Sequence, residues 1–372
     1  MTEQARALPG GLAGYAARAE ALLPPATAAY FLRGAGREET CRANLRDLEQ
    51  IRIWPRALAP LAGGHTQRTL LGRRLDVPML IAPMAYLPVL DAEGEAGVAA
   101  AATAQGVGMC LSAQAGQPME TVREAGTACQ WMQLYWQAGR APTMALAERA
   151  ARAGFAALVL TVDAPVNGIR DAEIASGFTL PAGIRAVNLD GLPRPQFAPL
   201  KDGESVLFDR VAHVLPDWED VAWFCANAPL PVLLKGILHA GDAAQAVTAG
   251  AAGVIVSNHG GRVLDGAPSA ISALPGVVAQ VCGAVPVLMD GGIRRGADVF
   301  RALALGASAV LIGRPVCHGL AVAGALGVSH VLRLLRDELE VTMALAGCRT
   351  LEDISPACVQ PPTLSGSCSS AG

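Results

Sequence analysis

The side chains best suited to chemistry in this chain stand at the ends of short apolar runs. His259 follows one such run in the stretch Ser257-Asn258-His259-Gly260-Gly261-Arg262. Two glycines leave space above an imidazole, and a guanidinium three residues on can hold a carboxylate while the imidazole takes a nearby proton. Asp163, after Thr161-Val162, is suited to orient that imidazole and stabilise its charged form, or simply to cap a turn. Arg170 follows a few residues later. Lys235 ends the apolar run PVLLK, where a charge rarely stands without a partner. It reads as a fixed cation facing negative charge on a cofactor or substrate, or as a side chain snorkelling to solvent.

A second group has the chemistry of an anion site. Asp290-Gly291-Gly292-Ile293-Arg294-Arg295-Gly296 enters a helical pattern, and Gly313-Arg314-Pro315 enters another. Free backbone N–H groups at a helix N-terminus favour a phosphate dianion, and Arg294 and Arg314 can add bidentate contacts. The plainer alternative is a glycine turn flanked by solvent-facing arginines. Gln133-Leu134-Tyr135 closes a further run.

The elements that must position these groups repeat regularly. Apolar runs occur at Met79–Ala82, Val107–Leu111, Trp131–Tyr135, Ala157–Val162, Pro231–Lys235, Gly253–Ser257, Pro286–Met289 and Ala309–Ile312. Buried parallel strands read as continuous apolar runs because both faces are covered. Helical spacing fills the intervals, as at Glu95–Gln105, Ala141–Ala153, Ala243–Ala249 and Ala297–Leu305. Eight such units predict an α/β fold, a (β/α)8 barrel over residues of about 78–345, with the polar run ends at its catalytic face. Residues 11–50 read as a helical cover and 51–75 as a short β-rich segment. A long Gly- and Pro-containing loop, about 164–230, breaks the repeat after the fourth run. The expectation is one domain over residues 1–358, followed by a disordered Pro/Ser/Gly-rich tail over 359–372.

Composition excludes several classes. The 372 residues weigh 38.2 kDa and include 41 Gly but only 7 Phe, 5 Trp and 4 Tyr, with 52% hydrophobic and 16% charged residues. That composition fits neither a disordered chain nor a coiled coil, and small residues favour tight helix-on-strand packing. A net charge of -3 offers no electrostatic reason to expect nucleic acid or an anionic membrane as partner. The nine cysteines are scattered without a C-x-x-C pair, which supports neither a disulfide framework nor a metal site and suggests a reducing cytoplasm. No signal-peptide pattern stands at the N-terminus, and no uninterrupted apolar run of about 18 residues predicts a membrane span.

Taken in order, the strand ends resemble those of the FMN-dependent L-2-hydroxy acid oxidases and dehydrogenases. That family includes glycolate oxidase, lactate oxidase, mandelate dehydrogenase and 4-hydroxymandelate oxidase. The resemblance runs from about Tyr30 to Cys348 and is most specific in SNHGGR-x-LD, Ser257 to Asp265. YFLRGAGREET from Tyr30, IAPMA from Ile81, QLYW from Gln133, LTVDAP from Leu160, LLKGI from Leu233 and DGGIRRGADVFRALALGA from Asp290 carry the rest.

The resemblance implies FMN as cofactor, a small 2-hydroxy acid as substrate, O2 or another electron acceptor, and a homotetramer. It implies His259 as active-site base with Asp163 beside it, and Arg170, Arg262 and Tyr30 as ligands of the substrate carboxylate. Tyr135 matches the tyrosine that hydrogen-bonds the substrate hydroxyl or developing carbonyl. Lys235 matches the lysine near N1 and O2 of the flavin. Ala85, Ser112, Gln133, Thr161 and Ser257 match flavin-ring or ribityl contacts. Asp290, Gly291, Gly292, Arg294, Gly313 and Arg314 match the ribityl and phosphate cradle.

The chain also departs from the family pattern. Gln114 stands where a bulky aromatic is frequent, Asn167 where an apolar pocket residue is common, and Ile169, Met84 and Val263 replace Arg, Thr or Val, and Gln. Gln114 and Asn167 should face the substrate tail, which predicts a roomier, more polar pocket than a glycolate or lactate enzyme needs. APMAY, with Tyr86, is similar to the 4-hydroxymandelate oxidases. The competing readings are another FMN barrel, such as a type 2 isopentenyl diphosphate isomerase, and a flavin-binding protein without turnover. Neither would be expected to keep His259, Arg170 and Arg262 together.

Overall fold

In the computed structural model, residues 8–126, 129–195, 197 and 199–360 are described. Eight parallel strands close into a barrel: Met79–Ile81, Gly108–Ser112, Gln130–Leu134, Ala157–Thr161, Val232–Ile237, Gly253–Val256, Val287–Met289 and Ala309–Ile312. Each pairs with its neighbours in chain order, and the eighth pairs with the first through Leu311 and Leu80. Successive side chains on a strand point to opposite faces. Leu80, Cys110, Trp131, Val159, Leu233, Ile255, Leu288 and Leu311 therefore fill the barrel interior. Their neighbours, among them Ile81, Met132, Leu160, Leu234 and Met289, face the surrounding helices in a larger apolar cluster. Two buried faces explain why the runs carry almost no polar residue before their C-terminal ends.

The fifth strand is irregular where it matters. Its pairing with the sixth slips between Lys235 and Ile237. Gly236 lies there at φ +110, and a Cβ on it would stand 2.4 Å from the Cβ of Asp163. Only glycine fits this position, by conformation and by space.

Three helices, Leu12–Leu22, Pro25–Leu32 and Glu39–Gln50, form the expected cover. Polar contacts pin the third one to the loop after the sixth strand. The Asp265 carboxylate accepts the backbone N–H groups of Arg37 and Thr40, and Asn44 and Asn258 exchange side-chain hydrogen bonds of 2.9 and 2.8 Å. The segment 51–75 holds a strand at Arg52–Ile53 and a hairpin of Arg68–Leu70 with Arg73–Leu75.

The long interruption after the fourth strand is partly structured. It contains helices Asp171–Ser176 and Trp218–Asn227, and the second starts with a capping box between Asp217 and Asp220.

One expectation needs adjustment. Val359 and Gln360 are not part of a disordered tail, because they pair antiparallel with Ile53 and Arg52; residues 361–372 lie outside the described residues. Arg314–Leu345 is long and apolar enough to cross a membrane by length and composition. It consists of two helical halves joined at Ala323–Gly324, and packs largely buried against the helices Leu12–Leu22, Gly94–Ala104 and Gly296–Ala304. Its apolar character is that of a core helix.

Candidate active site

The strand ends converge on one cavity at the C-terminal mouth of the barrel. Tyr30, Ala85, Ser112, Gln133, Tyr135, Thr161, Arg170, Lys235, His259, Arg262, Asp290, Gly291, Gly292, Arg294, Gly313 and Arg314 all line it. Asp163 and Ser257 stand behind this lining and act through it.

His259 sits at φ +56, a left-handed conformation uncommon for a residue with a side chain. Its N–H donates to Ser257 Oγ at 3.0 Å, and its Nδ1 lies 2.9 Å from Asp163 Oδ1. Burial pushes the Asp163 carboxyl up, but the His259 hydrogen bond and the nearby His259 and Lys235 charges outweigh it and hold it below the ordinary carboxylate value. An ionised carboxylate can only accept, so Nδ1 carries the hydrogen, and in the neutral imidazole Nε2 keeps its lone pair. That is the tautomer a general base requires.

Across the cavity, Tyr30 lies beside two guanidiniums, those of Arg262 at 5.5 Å and Arg170 at 5.7 Å from its ring centre. Phe178 stacks on the same tyrosine at 4.4 Å. Burial raises the Tyr30 hydroxyl to about 12, against the opposing pull of Arg262, so it remains a donor at neutral pH. Arg262 is anchored by a 2.8 Å hydrogen bond to the Arg33 carbonyl. Burial, then the Arg314 and Arg170 charges, lower its pKa to about 10. A desolvated guanidinium with like charges beside it is stabilised by an anion, and a carboxylate matches its fork geometry. Arg170 meanwhile pairs with Glu173 at 2.8 Å.

Lys235 is almost wholly buried and does not snorkel. Its Nζ lies 3.0 Å from Asp290 Oδ2 and 2.8 Å from Ser257 Oγ. Burial would lower its pKa, but the charges of Asp290 and Asp163 overcome this and raise it, so the ammonium is permanent. Ser257 is fully buried, and its hydroxyl oxygen accepts from Lys235 and from the His259 N–H, so it positions those two residues. Gln133 donates to Thr161 Oγ1 at 3.1 Å, which fixes both side chains at the cavity floor.

The anion end fits a phosphorylated, hydroxylated ligand. Asp290 Oδ1 is buried without a hydrogen-bond partner, as an acceptor for a ribityl hydroxyl would be. Arg294 is buried so deeply that its pKa falls to about 10, and Arg314 lies close enough to lower it further. Gly313 has open space where a side chain would stand. Gly292 has an additional role: its Cβ would come 2.5 Å from the Asn44 carbonyl, so the glycine admits the N-terminal cover. The helix N-terminal N–H groups of Arg294, Arg295 and Gly296 are taken by Asp298 and Glu338, so the Arg294 and Arg314 guanidiniums beside the glycines at 291, 292 and 313 form the donor set that suits FMN phosphate.

Several contributors escaped the sequence reading. Glu173, three residues after Arg170 on one helical turn, carries the visible signal of an i,i+3 ion pair. Phe178 and Asn44 carry none, because each is brought in by tertiary packing. His318 is buried, and desolvation with the charges of Arg294 and Arg314 lowers its pKa to about 3, so it is neutral.

Residues 19–361 match the family model described as FMN-dependent dehydrogenase. The chain is 51% identical over 328 residues to the L-lactate oxidase of Roseobacter sp. (strain GAI101), covering 88% of each protein. It is 43% identical over 344 residues to the glycolate oxidase of Spinacia oleracea, covering 92% of this chain and 93% of that protein. Among solved structures it is similar to mandelate oxidase with benzoyl-formic acid, with TM-score 0.85 and 39% identity, covering 94% of this chain and 97% of that one. The chain belongs to the FMN-dependent dehydrogenase family, whose FMN-dependent oxidation of 2-hydroxy acids is its reaction.

Proposed function

We propose that this enzyme acts on L-2-hydroxy acids with tails larger than those of glycolate or lactate, and that oxygen reoxidises its flavin with release of H2O2. The observation that carries the assignment of roles is the His259–Asp163 pair at 2.9 Å, facing the same cavity as Arg170, Arg262 and Tyr30. The two guanidiniums and the Tyr30 hydroxyl hold the substrate carboxylate, which converts a bimolecular encounter into an oriented one. Nε2 of His259 accepts the proton of the C2 hydroxyl, and Asp163 stabilises the imidazolium that results. Tyr135, whose hydroxyl is kept protonated by burial, donates to the same substrate oxygen. FMN, when bound, supplies the two-electron acceptor for the C2–H bond. Ala85, Ser112, Gln133 and Thr161 would flank its ring, Lys235 would provide fixed positive charge, and Asp290, Gly291, Gly292, Arg294, Gly313 and Arg314 would hold the ribityl phosphate.

Gln114 and Asn167 both line the cavity, which supports the larger, more polar substrate. A second chamber of about 1080 Å³ adjoins it and shares Tyr135, Thr161 and Ala164 with it, so space extends beyond a two- or three-carbon acid. A hydroxy-acid panel followed in parallel by peroxide production and dye reduction tests both halves of the reading. Aryl- or polar-substituted acids should give the higher kcat/KM, with peroxide stoichiometric to product. Strict preference for glycolate or lactate would refute the substrate class, and dye reduction without peroxide would refute the acceptor.

The assembly we infer is a cytoplasmic homotetramer, in keeping with the family resemblance and with free thiols at the eight described cysteines. Light scattering on the holoenzyme and fractionation of the source cell test these two points separately.

A further inference from the structure

Cys348 and Cys358 lie outside the catalytic cavity, and their sulfurs are 3.7 Å apart. Cys348 follows the end of the helix Arg314–Leu345 and is buried; Cys358 is partly exposed and immediately precedes the strand Val359–Gln360. The turn between them is held closed: Asp353 Oδ2 accepts the N–H groups of Arg349 and Thr350 at 2.8 Å each. Both thiols are aimed at the same acceptor, the Asp353 carbonyl, at 3.6 Å. Cys348 also reaches the Ala346 carbonyl at 3.8 Å and Cys358 the Ser355 hydroxyl at 4.0 Å, so the turn delivers two cysteines ten residues apart side by side.

We propose that Cys348 and Cys358 form a peroxide-driven disulfide that fastens the C-terminal strand to the end of the long helix. The oxidant is hydrogen peroxide, and its supply by the enzyme's own turnover rests on the oxygen-acceptor reading above. The sulfur of Cys358, the accessible one, attacks a peroxide oxygen; the O–O bond breaks, water leaves, and Cys358 becomes a sulfenic acid. The sulfur of Cys348 then attacks that of Cys358; the S–O bond breaks, the S–S bond forms, and a second water leaves. Two thiols lose two electrons and two protons, and one peroxide becomes two waters. The sulfurs have to close from 3.7 Å to about 2 Å for the bond to form.

The bond would act on a weak seam. The strand Val359–Gln360 is only two residues long, and it holds Arg52–Ile53, with the Trp54 N–H donating to the Cys358 carbonyl at 2.9 Å. A covalent link at Cys358 makes this seam part of the helix end. An enzyme in a reducing compartment would carry the link transiently, when peroxide exceeds the local reductant.

The test treats the holoenzyme with added H2O2, which keeps it independent of the natural acceptor, then quenches with catalase, alkylates and maps peptides. The expected result is a Cys348–Cys358 cross-link, a mass loss of about 2 Da, reversal by dithiothreitol and a higher thermal midpoint in the oxidised form. Cys348→Ser should leave Cys358 over-oxidised to the sulfinic acid, and Cys358→Ser should protect Cys348. The proposal is overturned if wild-type protein keeps both thiols alkylatable, if Cys358 over-oxidises without cross-linking, or if it pairs with Cys368. Because the mapping is done on the wild-type chain, a variant that fails to fold does not affect the outcome.

Discussion

At the scale of single residues, the site rests on one tautomer. Asp163 is ionised and accepts from Nδ1, so His259 presents a basic Nε2 to the substrate. Replacing His259 with Gln keeps the size and a hydrogen-bonding group but removes the base. Anaerobic bleaching of FMN by a 2-hydroxy acid should then slow by about 10²-fold or more, with the yellow cofactor still bound. Near-normal stopped-flow reduction would remove His259 from its role. Asp163 also makes a pH prediction. Its folded pKa lies below the unfolded one, so its contribution to stability is present above the ordinary value of about 4 and lost as pH falls through the folded value. Asp163→Asn should therefore lower the thermal midpoint at neutral pH and flatten its fall in acid. Parallel melting curves for the two proteins, from neutral to acidic pH, would contradict this.

At the scale of elements, the slip in the fifth strand and the N-terminal cover do the positioning. The Gly236 bulge makes room for Asp163 in the neighbouring strand end. Gly236→Ala combines a φ of +110 with a Cβ 2.4 Å from that of Asp163, and backbone strain of this kind costs about 1–3 kcal/mol. Denaturant unfolding should show that loss, and flavin reduction should slow because the Asp163–His259 pair is displaced. Unchanged stability and rate would mean the bulge does not set the pair. The cover is held by Asn44, which alone satisfies part of the buried Asn258 amide. Asn44→Leu should cost about 1–3 kcal/mol for the unpaired amide. It should also weaken FMN binding, since the Asn44 carbonyl packs against Gly292 in the phosphate cradle. Fluorescence titration of the apoprotein with FMN measures the second effect.

At the scale of the whole molecule, the barrel mouth gathers a dense set of buried charges: Arg262, Arg294, Lys235, Asp163 and Asp290. Arg262 and Arg294 both have their pKa lowered to about 10, first by burial. Anions relieve that cost, and FMN phosphate and substrate carboxylate are the two anions the cavity fits. Removal of FMN should therefore lower the thermal midpoint substantially. A ligand present at 100 times its Kd stabilises by about 2.7 kcal/mol through mass action alone. Calorimetry of apo and reconstituted enzyme checks the shift, and an apoprotein as stable as the holoenzyme would contradict it.

Much of this protein was legible in its amino-acid order. Each barrel strand appeared as an apolar run because both of its faces are buried, and His259, Lys235, Asp163 and Tyr135 appeared at or just after the ends of such runs because a barrel exposes its strand ends; Tyr30 and Arg170 come from outside them. The motif from Ser257 to Asp265 was enough to point to the family and to name His259 and Arg262. What the order did not contain was the depth and pairing of those groups. That Ser257 turns its hydroxyl to Lys235 and His259, that Asn44 reaches Asn258 across 214 positions, and that Phe178 stacks on Tyr30 depend on where distant segments meet. The strand Val359–Gln360 was hidden for the same reason, since two residues carry no periodicity and gain their partner only through the folded N-terminal segment. Local pattern determined the elements and the reactive residue types; the closure of the barrel decided their neighbours, and the neighbours set the charge states on which the chemistry depends.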